Sequence, residues 1–254
     1  MTFRLFFLIS LLLSFGLGAL STYSQTGLSW SLLKKHEVVR SILKENKMSA
    51  VDTLRRHLLP TSHLEIVLVI MKEDKELVLY AGRPGTPFQQ ISQYKILSND
   101  VIAGPKRQFD DGRIPEGFYY INRYEDLDSG NYRFGINYPN ISDRKFSLAD
   151  DLGKDVYIQT VHDSSGSICL APASMNELTT FLIIACKSGQ RKIPVYIFPF
   201  RMEDERCRER LNEISANTMQ VVFWENMKSG YDLFMAKKQT LEYWFNEFGE
   251  YVFN

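Results

Sequence analysis

The chain has 254 residues, of which 44% are apolar and 24% are charged, enough apolar content for one globular domain with extensions or for two small domains. Lys and Arg together number 30, as do Asp and Glu, so the formal net charge is zero. Binding to nucleic acid through phosphate contacts requires an excess of basic residues, so this composition argues against that class of protein.

The N-terminal segment has the pattern of an export signal. Arg4 precedes an apolar run from Leu5 to Leu20, and small residues occur at its end, Ala19 and Ser21. A basic head, an apolar stretch and small residues at its end are typical of a secretory signal peptide, here residues 1–21. The run is short for a membrane-spanning helix, which needs about 20 apolar residues, so an uncleaved anchor is the alternative. The sequence predicts export to the periplasm or cell envelope, with membrane contact only through this segment.

Residues 22–60 are predicted to form a helical lead-in to the main domain. Apolar residues recur at helical spacing from about Leu28 to Leu59, and Pro60 ends the pattern. The residues that carry the spacing are Val38, Val39, Ile42, Leu43, Val51, Leu54, Leu58 and Leu59.

From residue 64 the pattern changes to short apolar runs separated by Gly and Pro. The strand candidates are residues 64–70, 76–80, 93–96, 117–121, 132–137, 156–160 and 194–198. Many short strands with turn residues between them indicate a mainly β domain over residues 64–202, sandwich-like or barrel-like. Predicted helices at 174–187 and 203–214 flank the strands, so the fold class is α+β.

The last part of the chain, residues 203–254, forms a C-terminal extension that is rich in aromatic residues. These residues are Trp224, Tyr231, Phe234, Tyr243, Trp244, Phe245, Phe248, Tyr251 and Phe253. We expect the extension to pack on the β domain; the alternative is that it forms a wall of a substrate groove.

The chain has three cysteines, Cys169, Cys186 and Cys207. An odd number in an exported protein leaves one thiol reduced or pairs it between chains. Cys186 and Cys207 could form a disulfide if they lie close in space. The four histidines are scattered and no Cys-x-x-Cys pattern occurs, so neither a metal site nor another cofactor is predicted.

Four stretches, in this order along the chain, carry a resemblance to a known family. They are GPK at 104–106 with DGRIPEGFYYI at 111–121, RFGINYPN at 133–140, IFPFRM at 197–202, and WENMKSGYD at 224–232. Their order and spacing resemble the YkuD-type L,D-transpeptidase catalytic-domain family over roughly residues 64–254. The last stretch is similar to a tail found in a subgroup of periplasmic murein L,D-transpeptidase/amidase-like proteins.

The resemblance implies a fold, a chemistry and a ligand. Members of the family are similar in using a Cys thiolate, assisted by a His, to attack a carbonyl of a peptidoglycan stem peptide. An amine or water then resolves the thioester, while backbone N–H groups stabilise the oxyanion. The implied partners are peptidoglycan stem peptides and, for the subgroup, a wall-linked lipoprotein.

The subgroup's site pattern, His-Gly-x-x-x-Ser-x-Gly-Cys, can be laid on this chain in two ways. The ungapped alignment keeps the flanking segments at their expected distances and places Ser164 and Gly166 on the motif Ser and Gly. Gln159 then stands at the motif His, Thr160 at its Gly and Ser167 at the motif Cys. An amide does not titrate near neutral pH, and a Ser without an adjacent base is a poor nucleophile, so this alignment indicates an inactive member.

The shifted alignment retains the reactive pair. His162 stands at the motif His and Cys169 at the motif Cys, while Asp163 and Ile168 replace the motif glycines. One residue is deleted between the pair, and a compensating insertion is needed before the helix, so the ungapped alignment is preferred.

Two hypotheses about function follow from these alignments. In the first, Cys169 is the nucleophile and His162 its base, with backbone N–H groups around residues 166–169 as oxyanion donors. In the second, the chain is a non-catalytic member that binds stem peptides or a wall-attached partner, and Gln159 and Ser167 face each other where the dyad normally sits.

Overall fold

In the computed structural model of the protein, residues 27–98, 104–160 and 166–254 are described. The predicted export signal, residues 1–21, lies outside these ranges, as do the candidate site residues His162 and Ser164. Within the described ranges, none of the helices combines the length and the apolar character that are needed to cross a lipid bilayer.

Helices are found at both ends of the chain and strands mainly in the middle. The helices are α1 (Trp30–Leu33), α2 (Glu37–Arg56), α3 (Ile141–Lys145), α4 (Pro172–Lys187), α5 (Asp204–Glu213) and α6 (Thr218–Lys237). The strands are β1 (Glu65–Met71), β2 (Glu76–Gly82), β3 (Gln89–Lys95), β4 (Gly117–Asp126), β5 (Tyr132–Ile136), β6 (Tyr157–Gln159), β7 (Ile168–Cys169), β8 (Ile193–Phe198), β9 (Tyr243–Phe245) and β10 (Tyr251–Phe253).

The helical lead-in is two helices rather than one. The chain leaves the helical conformation at His36, which has extended backbone angles and precedes the first residue of α2. The apolar residues of α2 then recur on one side, where Val39, Ile42, Ala50 and Leu54 are buried. This side packs against α4.

Eight strands form one mixed sheet in the order β3-β2-β1-β8-β4-β5-β6-β7. The pairs β1–β8 and β6–β7 are parallel, and the other neighbours are antiparallel. The sheet curls until its two edges meet, because Ile96 bridges to Leu170 and Leu97 N–H donates to Cys169 C=O at 2.8 Å. The predicted α+β class is confirmed. Of the two predicted arrangements, sandwich-like and barrel-like, the sheet adopts the barrel-like one.

Both faces of the sheet are covered, and β1 shows how one strand serves both. Ile66, Leu68 and Ile70 face a first core, which contains the buried sides of α2 and α4. Val67 and Val69 face a second core, which contains α6 and the β9–β10 hairpin. Successive strand residues point to opposite faces, so a strand buried on both faces appears in the sequence as a continuous apolar run.

The aromatic C-terminal extension supplies much of the second core. Phe223, Trp224 and Phe234 of α6 are buried there, together with Tyr251 of β10. Gly230 allows the helix to approach the sheet, because a Cβ at this position would lie 2.4 Å from the ring of Phe118. The sequence identified the aromatic content, whereas α6 and the short hairpin became visible only in the structure.

The disulfide considered between Cys186 and Cys207 does not form. Both residues are free thiols, Cys186 in the first core and Cys207 in the second, on opposite faces of the sheet. Burial raises the pKa of Cys186 to about 12 and raises that of Cys207 as well, so both thiols stay protonated at neutral pH. The requirement that the two residues lie close in space is not met.

Candidate functional site

The candidate site residues meet where β6 and β7 run side by side. Gln159 and Cys169 are partners in the parallel ladder, and Leu170 N–H donates to Gln159 C=O at 2.9 Å. Their neighbours Ile158 and Ile168 face the first core, so Gln159 and Cys169 project from the opposite face of the sheet. Their exposed fractions are only 2% and 1%.

Ser167 lies two residues before Cys169 and is buried beside the start of β6. Its Oγ accepts a hydrogen bond from Tyr157 N–H at 3.3 Å, and its exposed fraction is 2%. The hydroxyl that stands at the motif Cys in the ungapped alignment is therefore engaged by the backbone of the neighbouring strand.

Ser98, which follows β3, holds the segment around β7 in place. Its Oγ accepts a hydrogen bond from Cys169 N–H at 3.1 Å and donates one to Ser167 C=O at 2.8 Å. The amide of Cys169, one of the predicted oxyanion donors, is thus occupied. No motif in the sequence marks Ser98, because only the closure of the sheet brings it next to these residues.

Gly166 has a backbone conformation that favours glycine. Its φ is +82°, and a Cβ placed on it would lie 2.8 Å from Arg113 C=O. Only a residue without a side chain adopts this conformation without strain at such a short distance. Ile168, the residue that precedes Cys169, lies instead in an ordinary strand and is fully buried.

A buried ion pair supports the segment on which Gly166 rests. Lys72 Nζ donates to Glu116 Oε1 at 2.8 Å and also to Gly104 C=O at 2.7 Å and Ile114 C=O at 2.8 Å. Trp224 Nε1 donates to the second oxygen of Glu116 at 2.7 Å. Burial lowers the pKa of Lys72, and Glu116 partly opposes that shift. The pair explains why the first and the last motif stretches occur together, since their residues meet here.

A second buried network joins the first motif stretch, through Tyr119, to the second, through Asn140. Asp143 accepts hydrogen bonds from Tyr119 Oη at 2.9 Å and from Asn140 N–H at 2.9 Å. Asn140 in turn donates to Tyr251 Oη at 2.9 Å. Burial raises the pKa of Asp143 to about 6, although the nearby Arg107 acts in the opposite direction.

The face that carries Gln159 and Cys169 continues across β5 as a charged surface. Arg133, the ladder partner of Gln159, lies over the ring of Tyr157 with its guanidinium carbon 3.7 Å from the ring centroid. Glu125 accepts a hydrogen bond from Arg133 at 2.7 Å and one from Tyr157 Oη at 3.2 Å.

The structure therefore brings together Gln159, Gly166, Ser167 and Cys169, while His162 lies outside the described residues. Among the residues that the structure describes, no group of three or more His, Cys, Asp or Glu side chains could hold a metal ion.

Comparison with known proteins gives both sequence and structural relatives. The chain is 31% identical over 171 residues to the protein named "Putative L,D-transpeptidase YafK" of Escherichia coli, in strain K12 and in O157:H7. The aligned part spans 66% of this chain and 66% of the relative. No model of a protein family matches the sequence.

Two solved structures align with parts of the chain. The helical cell shape determining protein Pgp2 of Campylobacter jejuni aligns with 71% of this chain and 73% of its own, at a TM-score of 0.43 and 16% identity. Bd1075 of Bdellovibrio bacteriovorus aligns with 77% of this chain and 82% of its own, at a TM-score of 0.40 and 18% identity.

The fold and the site define an α+β protein whose curled sheet ends in a cluster of a glutamine, a serine and a cysteine. The relationship to YafK then decides the family: the chain belongs to the L,D-transpeptidase family. The resemblance predicted from the four motif stretches is confirmed.

Proposed function

We propose that this chain is a non-catalytic member of the L,D-transpeptidase family that binds peptidoglycan stem peptides. The observation that carries the proposal is the backbone of Gly166. Gly166, which precedes Ser167, has a φ of +82°, and a Cβ at this position would lie too close to Arg113 C=O. A backbone position that requires glycine is what a motif glycine would occupy, and this supports the ungapped alignment with Ser167 at the motif Cys and Gln159 at the motif His.

The surroundings of Cys169 argue against a relocated thiolate. An oxyanion donor must point at the reacting oxygen, whereas the amide of Cys169 donates to Ser98 Oγ. A reactive cysteine is partly exposed, whereas Cys169 is 1% exposed. The adjacent amide of Leu170 is also occupied, by Gln159 C=O.

The groups at the two motif positions suit binding better than covalent chemistry. The amide of Gln159 can donate and accept hydrogen bonds, but it cannot act as a general base because it does not take up a proton at neutral pH. Ser167 has a hydroxyl already engaged by Tyr157 N–H and no described base beside it. Gln159 and Ser167 are each only 2% exposed, so a stem peptide would contact the less buried polar side chains of the same face, such as Arg133 and Glu125, while thioester formation is lost.

A turnover assay on the full chain tests the proposal. Purified protein is incubated with sugar-free stem peptides; calorimetry measures binding, and mass spectrometry detects cleavage, cross-linking or an acyl adduct. We expect binding without turnover, and the same result for Cys169→Ala and for the control Cys186→Ala.

One outcome would contradict the proposal directly. Turnover by the wild-type chain that disappears in Cys169→Ala but persists in Cys186→Ala would establish the cysteine enzyme of the shifted alignment. Loss of turnover in His162→Ala as well would assign the base.

We further propose that the chain acts in the cell envelope, where its ligand occurs, and that a wall-linked lipoprotein is a second partner. The basic and apolar pattern of residues 1–21 supports export. Fractionation of cells that express the full chain, with mass spectrometry of its N-terminus, distinguishes a cleaved signal from a retained anchor. Recovery of the protein in the cytoplasm with an intact N-terminus would reject export.

A further inference from the structure

A cleft of about 770 Å³ lies between the β4–β5 hairpin and the segment at residues 150–155. Its volume falls within the range of small-molecule sites, roughly 300–1,000 Å³. The cleft opens on the sheet face that carries Gln159, because its floor includes Tyr120 and Asn122 of β4, which project away from the first core. Strands β4 and β6 are separated only by β5, so cleft and candidate site are about 10 Å apart.

The floor of the cleft is shaped by two backbone features. The register between β4 and β5 shifts between Ile121 and Arg123, so Asn122 is the extra residue of a β-bulge. Arg123 then lies flat across β5 at Gly135, where a Cβ would be 2.5 Å from Arg123 Nε. A bulge re-aims side chains near functional sites, and here it turns Asn122 and Arg123 toward the same cleft.

Two polar atoms of the floor are buried without a hydrogen-bond partner in the described part of the chain, Tyr120 Oη and Asn122 Oδ1. Buried polar groups in proteins are nearly always paired, because leaving them unpaired is costly. Both atoms are covered by their neighbours, so a ligand reaches them only where a side chain of the cleft turns aside; its hydroxyl or amide groups would then satisfy one acceptor and one hydroxyl. Both atoms belong to side chains that line the cleft, so they point to a ligand with several such groups.

The charges around the cleft nearly balance. The charged residues that line it are Arg123, Arg144, Lys154, Glu125, Asp150, Asp151 and Asp155. Arg123 is already paired, with Asp155 at 2.9 Å and with Glu125 at 3.1 Å. Because positive and negative side chains are mixed and partly paired, the cleft does not favour a ligand with a large net charge. It offers hydrogen-bond donors and acceptors instead.

We infer that this cleft binds an uncharged saccharide. Each sugar hydroxyl both donates and accepts, which matches a lining of carboxylates, guanidinium groups, amides and a phenol. The assignment goes beyond the proposed binding of stem peptides and stands without it. If both hold, one ligand that carries sugar and peptide would extend across β5 to Gln159.

Binding of a peptide-free saccharide to the full chain tests the inference. N-acetylglucosamine tetramer is titrated into the protein, and the dissociation constant is measured by calorimetry and NMR. We expect the wild type to bind, with shift changes at Asn122 and Gly135, and Tyr120→Phe/Asn122→Leu to bind at least tenfold more weakly. Asn46→Leu on α2 is the matched control and should bind like the wild type.

Stability separates a ligand role from a structural one. The double variant removes two unpaired polar atoms, so its Tm should equal or exceed that of the wild type while binding falls. No binding of the tetramer by the wild type would overturn the inference, whatever the stem peptides do. Tetramer binding that is unchanged in the double variant but lost in Gln159→Ala would also overturn it, since the sugar would then occupy the candidate site.

Discussion

The hydroxyl of Ser98 accepts a hydrogen bond from the backbone amide of Cys169 at 3.1 Å, although the two residues are 71 positions apart in the chain. The same hydroxyl donates to Ser167 C=O at 2.8 Å. These bonds lie beside the bridge from Ile96 to Leu170 that joins the edges of the sheet. A single side chain therefore links the closure of the sheet to the position of both candidate nucleophiles.

Replacing Ser98 with Ala should destabilise the protein. The amide of Cys169 and the carbonyl of Ser167 would both lose their partner in a buried place, which costs about 1–3 kcal/mol of unfolding free energy. Urea denaturation measures the loss. Ser188→Ala is the control, because its hydroxyl also donates to a backbone carbonyl but at an exposed position; equal stabilities of the two variants would contradict the assigned role of Ser98.

Gly166→Ala should be more harmful than Gly85→Ala. Both glycines have positive φ, +82° and +76°, but a Cβ would meet Arg113 C=O at 2.8 Å in the first and nothing within 4 Å in the second. Strain alone costs about 1–2 kcal/mol at Gly85, and the contact with Arg113 adds to this at Gly166. Chemical denaturation compares the two variants. Equal losses would show that the segment around Arg113 yields freely, and would weaken the argument for the ungapped alignment.

The buried pair Lys72–Glu116 should show strong coupling in a double-mutant cycle. Lys72→Met leaves the carboxylate of Glu116 buried without its counter-charge, a change that costs about 3–5 kcal/mol. Adding Glu116→Gln removes that charge while keeping an acceptor for Trp224, so the double variant should lose less than the sum of the two single losses. Trp224 fluorescence follows unfolding. Additive losses would contradict a coupled pair.

Asp143 should make the stability depend on pH in an unusual direction. Its pKa is raised by burial from 3.8 to about 6, so between these values the folded state holds a proton that the unfolded state has lost. Its contribution to stability is complete below pH 4 and is lost as the pH rises through 6, by about 3 kcal/mol in total.

Asp143→Asn isolates this effect from the other carboxylates. The difference in unfolding free energy between wild type and variant, measured by urea titration at several pH values, should shift toward the variant as the pH rises from 4 to 7. A difference that is constant over this range would mean that Asp143 titrates normally in the folded protein.

Much of the framework could be predicted from local patterns. The alternating and continuous apolar runs located β1, β2, β5 and β8 to within two residues, because side-chain burial follows strand periodicity. They located the start of β4 but not its end, since this strand continues to Asp126. Predicted helix 174–187 begins instead at Pro172, since proline is well suited to the first turn of a helix. The two-residue strand β7 has no periodicity to detect, so it was not predicted.

Other features depended on contacts between distant parts of the chain. The sequence allows a disulfide between Cys186 and Cys207 only if they lie close in space, and the sheet separates them. The order of the motif stretches revealed the family, but the contact of Trp224 with Glu116 that explains it joins residues 108 positions apart.

The sequence by itself determined the family and the α+β class and predicted a small set of candidate site residues around Gly166, since these follow from residue types and their local spacing. Only the tertiary structure decided how those residues are arranged in space and which groups they contact. The curling of the sheet brings Ser98 to Cys169 and Arg113 to Gly166, and such contacts depend on strands that are far apart in the chain. The backbone conformation at Gly166 and the hydrogen bonds around Ser167 and Cys169 follow from that closure.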